Sequence, residues 1–531
     1  MSRKFGYLVV LALAAVLAFA GVAGAAEKPV YGGTFLNGSI GDAENLNPIL
    51  ESTDSANEID SMIFNGVMTV DPKTLKPIPD LAESYSSSAD QLTWTFKLRK
   101  DVKWQDGVPF TAEDVKFSYE TYADPKVNSP RQTDFESIKE IKLLDKYTIQ
   151  IVLKKPYSPF LYLPMGYFIV PKHILEGQDI NNSAFNRKPL GTGPFKFKEW
   201  VSGDHVTVVR NDDYFKGKPY LDSIITKVVP NGPALLAQAE AGQLDRANVP
   251  APEVDRMRDV AAKEHLKLYE RLDFGYTYIG WNLKNPLFAD KRVRQALTMA
   301  IDRGLILEKI YKGLGTIATS HIVPGVAWAY TDDVPQYPYD PAKAKKLLGD
   351  LGWKPGSDGI LEKDGKKFSF TIMANEGNVM RKGVMLYVQQ QLAKIGIDVK
   401  VQTIEWSTFI KQYVDKKKFD AIVLGWTGMG PDPDDYSLWN SEDADVDDTF
   451  NFVGYKNKEV DKLLQAARNT MEPDKRAEYY AKTQKIIAEE LPYTFLVYTK
   501  QVDAFSEKVK GGIFPSPLGF IPFWEKVWKE K

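Results

Sequence analysis

The alternation of apolar and polar side chains is sharpest between residues 367 and 436. Residues 367–373 (KFSFTIM) put Phe368, Phe370 and Ile372 on one side, the two-residue period of a strand. Val384, Tyr387, Val388, Gln391 and Leu392 then recur at helical spacing across 378–394, and Gly396 closes that helix. Residues 397–404 alternate again, 406–416 read as a short helix, and 419–425 (FDAIVLG) as a third strand. Strand, helix, strand, helix, strand with short connections predicts a parallel sheet with right-handed crossovers. Ligands of such sheets sit beyond the carboxyl ends of the strands, where loops open a crevice over a rigid base. Asn375, Glu376, Asn378 and Arg381 follow the first strand, and Glu405 and Trp406 the second. Trp426, Thr427, Gly428 and Met429 follow the third, ahead of Pro431-Asp432-Pro433-Asp434. Tryptophans, amides and a guanidinium at one sheet edge suit a small polar ligand with apolar side groups.

Elsewhere the pattern is mixed. Residues 31–39 read as a strand, 45–48 as a turn, 58–68 as a helix and 92–98 (LTWTFKL) as an alternating strand. Asp106-Gly107 centres a hairpin-like turn over 101–110, and Thr111 with Asp114 predicts a capped helix. Two alternating runs around Asp145-Lys146, and two more around Ser202-Gly203, predict antiparallel pairs. Residues 278–282 read as a strand, Asp290 caps a helix, and Asp340-Pro341 opens another in the favoured cap-then-proline order. Helices over 460–467 and 473–490 precede a strand at 493–498.

The 531 residues suggest about three domain-sized units. Hydrophobic residues at 44% and charged residues at 26% permit large cores. The first 25 residues read as a secretory signal: Arg3 and Lys4 as a basic head, an apolar run over 8–20, and Ala23-Gly24-Ala25 as the cleavage site. Without them, 66 basic stand against 70 acidic residues, and nothing in that balance favours nucleic acid. The sequence contains no cysteine, which excludes disulfides, thiol catalysis, thiolate metal sites and a lipid-bearing cysteine. A free periplasmic protein, not lipid-anchored, is expected.

Catalytic patterns are missing. The four histidines, His173, His205, His265 and His321, form no H-E-x-x-H pair, and there is no nucleophile elbow or phosphate-cradling glycine loop. The acidic run 443–448 has Asp448 where a calcium loop needs glycine, and Gly454 where it needs glutamate, so it reads as a solvated loop. No catalytic residue, metal or cofactor is expected, and His321 is at most a ligand contact.

Several motifs together resemble one family: Ala82-Glu83-Ser84-Tyr85, Trp94-Thr95-Phe96-Lys97-Leu98-Arg99, Val102-Lys103-Trp104, Phe110-Thr111-Ala112-Glu113-Asp114-Val115 and Gly191-Thr192-Gly193-Pro194-Phe195. Arg292-Val293-Arg294-Gln295-Ala296-Leu297, Tyr339-Asp340-Pro341-Ala342 and Gly425-Trp426-Thr427 continue the match in order. The chain resembles the family 5 extracellular solute-binding proteins, the dipeptide, oligopeptide and nickel receptors of ATP-binding-cassette importers. The resemblance implies an α/β, two-lobed periplasmic-binding-protein fold (type II, cluster C), with an extra subdomain in the first lobe and a hinge between lobes. Lobe I is expected over 26–274, with the subdomain at about 72–186, lobe II over 275–492, and a return to lobe I over 493–531. It also implies a non-catalytic monomer that clasps di- or oligopeptides and hands them to a membrane permease and its ATPase. The alternative cargo is an oligosaccharide or a nickel chelate.

By the same resemblance Trp406 and Trp426 line the peptide site, and Arg381-Lys382 falls near the family's carboxylate-binding arginine. Met429 stands where many relatives carry the aspartate that holds a peptide's ammonium. Its loss removes about 1.5–3 kcal/mol of amine recognition unless Glu405, Asp432 or Asp434 compensates. Trp406, Trp426, Thr427, Gly428, Met429, Asn375, Arg381, Asn37, Glu405 and Asp432 form the expected ligand-binding set.

Overall fold

Two long antiparallel strands, Leu266–Trp281 and Tyr493–Ser506, form the spine of the molecule. The computed structural model describes residues 28–530 apart from Ser52, Leu163, Glu264, Trp406, Ser407, Gly428, Met429 and Asp448, with Thr133 and Lys411 described by backbone alone. The expected signal segment, Trp406, Gly428 and Met429 therefore lie outside the described residues.

One sheet runs through the spine. Its order is Asp398–Ile404, Ser369–Asn375, Ala421–Trp426, Leu266–Trp281, Tyr493–Ser506, Arg246–Asn248, Thr34–Ser39, Ser223–Val228, His205–Arg210, Phe195–Val201. The predicted parallel unit stands on one side of the spine. Ser369–Asn375 pairs in parallel with both Asp398–Ile404 and Ala421–Trp426, so Asn375 lies opposite Ile404. Helix Val379–Ala393, capped by the Asn378 side chain on the Arg381 amide, buries Val384, Val388, Gln391 and Leu392 as their spacing predicts. On the other side the strand pairs predicted around Ser202-Gly203 and Asp145-Lys146 form as drawn. The second belongs to a separate four-stranded sheet, backed by helix Ala112–Ala123 with its Thr111/Asp114 capping box.

Four hydrophobic clusters follow this division. One gathers Phe35, Met62, Trp104, Tyr119 and Phe160, and a smaller one Leu235, Ala247 and Leu266. Beyond the spine, one cluster joins Trp281, Phe370 and Val388, and another joins Tyr278, Trp439, Ala467 and Tyr493.

Three expectations need correction. The helix expected over 58–68 is Asp54–Ile63, capped by Thr53, and Met68–Val70 is a strand. At Gly66 between them, a Cβ would meet the Met68 carbonyl at 2.7 Å, so the chain turns there as no other residue allows. The short helix expected over 406–416 forms as a π-type helix, Phe409–Val414, wider than an α-helix. Both spine strands are much longer than 278–282 and 493–498. Their outer halves carry Glu270, Arg271, Lys500 and Gln501, polar residues that break the apolar alternation yet pair across the ladder, with Lys500 on Glu270 at 3.2 Å.

Candidate ligand site

The carboxyl ends of the parallel strands bring together part of the expected set. Trp426 ends its strand opposite Tyr276 of the spine. Its backbone comes so close that a Cβ on Gly275 would lie 2.5 Å from the Trp426 carbonyl oxygen. Gly275 sits in the bulged stretch between Leu272 and Tyr276, where pairing of the two spine strands shifts register. Held this way, the Trp426 indole stacks on Phe452 (5.3 Å, 12°) and lies nearly parallel to Tyr278 (6.4 Å, 18°), with Phe450 edge-on at 5.7 Å. Tyr278 in turn stacks on Tyr493 at 3.8 Å. Thr427, next in the chain, is exposed.

Polar atoms point into this aromatic wall. Trp426 Nε1, Tyr278 Oη and Tyr493 Oη are buried, and none has a well-aligned hydrogen-bond partner among the described residues. Such groups are costly to bury unsatisfied. Burial pushes the Tyr493 hydroxyl upward in pKa, and the neighbouring Trp426 indole and Tyr278 hydroxyl oppose that shift.

The guanidinium is delivered by the neighbouring strand end. Arg381 Nη1 donates to Asn375 Oδ1 at 2.8 Å, so the two residues predicted from one loop act as a unit. Desolvation lowers the Arg381 pKa, opposed by the Tyr278 and Tyr311 hydroxyls. Asn375, Arg381, Tyr278 and Trp426 thus share one end of the sheet: a planar cation beside a flat aromatic face. That combination can bind a carboxylate with its apolar neighbours.

The remaining expected residues lie differently. The Glu405 carboxylate accepts from the Thr408 amide at 2.8 Å and caps the following turn. Asp432 is engaged through both oxygens by Arg476, at 2.8 Å each, with both side chains 4% exposed. Asp434 is likewise bound by Arg468 Nε at 2.8 Å. These two acids, expected to substitute for the missing aspartate, have their charges compensated within the fold. Asn37 is buried at 1% exposure on Thr34–Ser39, bonded to Glu58 at 3.4 Å and separated from Trp426 by both spine strands and Arg246–Asn248. His321 is also fully buried, 3.4 Å from Asp435 and edge-on to Trp439. Burial lowers the His321 pKa and raises that of Asp435. The sequence reading missed Tyr278, Tyr493 and Phe452. The alternation of Tyr276 and Tyr278 beside Trp426's strand was the available signal; Phe452 had none, since it sits in a loop.

Two surface grooves lie away from these residues. One of about 570 Å³ lies on the Thr34, Thr207 and Ser223 face of the sheet, and one of about 390 Å³ lies beside Asn282 and Asp420. Among the described residues no three His, Asp or Glu side chains come together as a metal site, and no helix is long and apolar enough to cross a membrane.

Comparison with known proteins places this geometry in context. Residues 76–448 match the model of the bacterial extracellular solute-binding proteins, family 5. The oligopeptide-binding protein AppA of Bacillus subtilis is 39% identical over 495 residues, covering 92% of this chain and 90% of its own. Its structure in complex with a nonapeptide superposes with a TM-score of 0.77 at 38% identity, over 95% of this chain and all of that one. NikZ from Campylobacter jejuni, solved with Ni(L-His), gives a TM-score of 0.76 at 31% identity, again over 95% of this chain and all of NikZ.

Proposed function

The chain belongs to the family 5 bacterial extracellular solute-binding proteins, and we propose that it captures peptides between two lobes for an ATP-binding-cassette importer. One observation carries the peptide reading: Arg381, braced by Asn375, stands at the same sheet end as the Trp426–Phe452 stack. A peptide offers a carboxylate for the first and side chains of any kind for the second, and flat aromatic area is tolerant of sequence. In this reading lobe I comprises 26–274 and 493–531, with its subdomain at 72–186, and lobe II comprises 275–492. The separation of the hydrophobic clusters on either side of the spine supports that division. The protein works without catalysis, as a monomer in the periplasm after removal of its signal segment and without a lipid anchor. It passes cargo to a permease and ATPase. Trp406, Thr427, Gly428 and Met429 are further ligand-binding residues in this reading. Glu405 caps the turn after its strand and Asp432 holds Arg476, whereas three strands separate Asn37 from Trp426.

Ligand need only favour the closed arrangement; moving an open-to-closed ratio from 1:99 to 99:1 takes about 5.5 kcal/mol of differential affinity. Calorimetric titration with a nonapeptide pool tests the reading, alongside native mass spectrometry of protein purified from its own periplasm. Acetylating the peptide amine is expected to cost little, because Asp432 and Asp434 already hold arginines. Amidating the carboxyl is expected to weaken binding by about tenfold, the loss of one charge-assisted bond. Absence of both heat and co-purified peptide would refute it. The similarity to NikZ supports a second cargo, a nickel chelate, which the same mass spectra would reveal by isotope pattern.

A further inference from the structure

Away from the ligand wall, segments of the two sides meet at a seam that does not involve the spine. The turn between strands Met68–Val70 and Pro77–Pro79 holds Leu75 at φ +55°, a left-handed conformation that a leucine adopts only under constraint. The strained residue is 4% exposed, and its side chain sits in the cluster of Trp439, Leu464 and Ala467, across the seam from its own strands. Met471 crosses the other way and packs against the Phe160 cluster.

Beside this knob, Ser158 Oγ donates to the Ala467 carbonyl at 3.0 Å, a buried bond between residues 309 apart in sequence. Ala467 lies in the last turn of helix Lys458–Asn469, where its carbonyl also accepts from the Thr470 cap amide at 3.4 Å. The same oxygen accepts from Arg476 Nε at 3.1 Å, and Arg476 clamps Asp432. In parallel, the Arg468 guanidinium lies over Tyr436 at 4.5 Å and Tyr157 at 5.8 Å while it holds Asp434. Both routes run from residues 157–158 on one side to the Asp432–Asp434 loop, which follows the Trp426 strand on the other.

We propose that Leu75 and Ser158 form a clasp that holds the two lobes together, so that the loop behind the ligand wall and the closure of the cleft are stabilised as one unit. In this proposal they are positioning residues that act on the distance between the lobes. Its own turn holds the Leu75 backbone, with the Leu75 amide donating to the Asp71 carbonyl at 2.8 Å, and the side chain is what crosses the seam.

The absence of cysteine lets the clasp be read directly. Spin labels are placed at Lys139→Cys and Lys462→Cys, both exposed, one on each side of the seam, and their separation is measured by pulsed electron resonance without added ligand. Leu75→Gly removes the knob and also relieves the strain, so the fold is retained; Ser158→Ala removes one hydroxyl and serves as an independent second variant. Each is expected to move the distance distribution outward and broaden it. With the nonapeptide pool, dissociation is expected to quicken by about tenfold for Leu75→Gly. Distributions that coincide with the parent's in both variants would overturn the clasp. The dissociation measurement rests on the peptide reading, whereas the distance measurement does not. A parent that binds no peptide would therefore refute capture, and the distances would still decide the clasp.

Discussion

Replacing Arg476 with methionine separates a fold role for Asp432 from a ligand role. Arg476 makes two 2.8 Å bonds to Asp432 and donates to the Ala467 carbonyl at 3.1 Å and to the Tyr480 hydroxyl at 3.0 Å. Its guanidinium also lies 5.0 Å from the Trp328 ring centre. Methionine fills similar volume but leaves the Asp432 carboxylate buried without a counter-charge. Breaking a buried pair in this way costs about 3–5 kcal/mol. Asp432→Asn together with Arg476→Met removes that stranded charge, and a coupling energy of about 2 kcal/mol between the sites is expected, within the range for residues in one network. Urea unfolding followed by tryptophan fluorescence supplies the double-mutant cycle, with each transition fitted separately where the lobes unfold apart. Two results would refute the reasoning. One is an Arg476→Met variant within about 1 kcal/mol of the parent, the range of an exposed pair. The other is an Asp432→Asn variant of unchanged stability that has lost peptide affinity, which would return Asp432 to the ligand.

Three further outcomes are expected. Asp60 is fully buried, neither carboxylate oxygen has a hydrogen-bond partner among the described residues, and desolvation followed by the nearby Glu51 charge raises its pKa well above the ordinary value. Its contribution to stability is complete below the unfolded value of about 3.9 and is lost as pH rises through the higher folded value; Asp60→Asn should therefore raise the melting temperature at neutral pH and flatten its decline with pH, as a calorimetric series would record. Gly275→Ala drives a Cβ to 2.5 Å from the Trp426 carbonyl and is expected to cost about 1–3 kcal/mol, with weaker peptide binding, in parallel denaturation and titration experiments. Trp426→Leu removes the stack on Phe452 and is expected to lower peptide affinity by about tenfold, about 1.4 kcal/mol, which isothermal titration measures.

Much of the fold was legible because the responsible signals are local. The period of Phe368, Phe370 and Ile372, the Asn378 cap and the Gly396 stop are properties of a few adjacent residues, and each forms the predicted element. The same holds for Thr111 with Asp114, where two side chains three residues apart satisfy the helix's own orphan amides. The strand ends named Asn375, Arg381 and Trp426 together because parallel topology alone brings them to one edge. The outer spine strands were not legible: Lys500 and Glu270 look like loop residues until each is seen to be the other's partner.

By itself, then, the sequence determined the element types, the parallel unit, the family and the edge at which to look for a ligand. Only the tertiary structure decided what each charged side chain does there. Asp432 and Asp434 follow the binding strand just as a ligand anchor would, yet arginines 44 and 34 positions away engage them. A carboxylate's role depends on which cation lies within about 3 Å of it, and chain folding sets that distance without any mark in the local pattern.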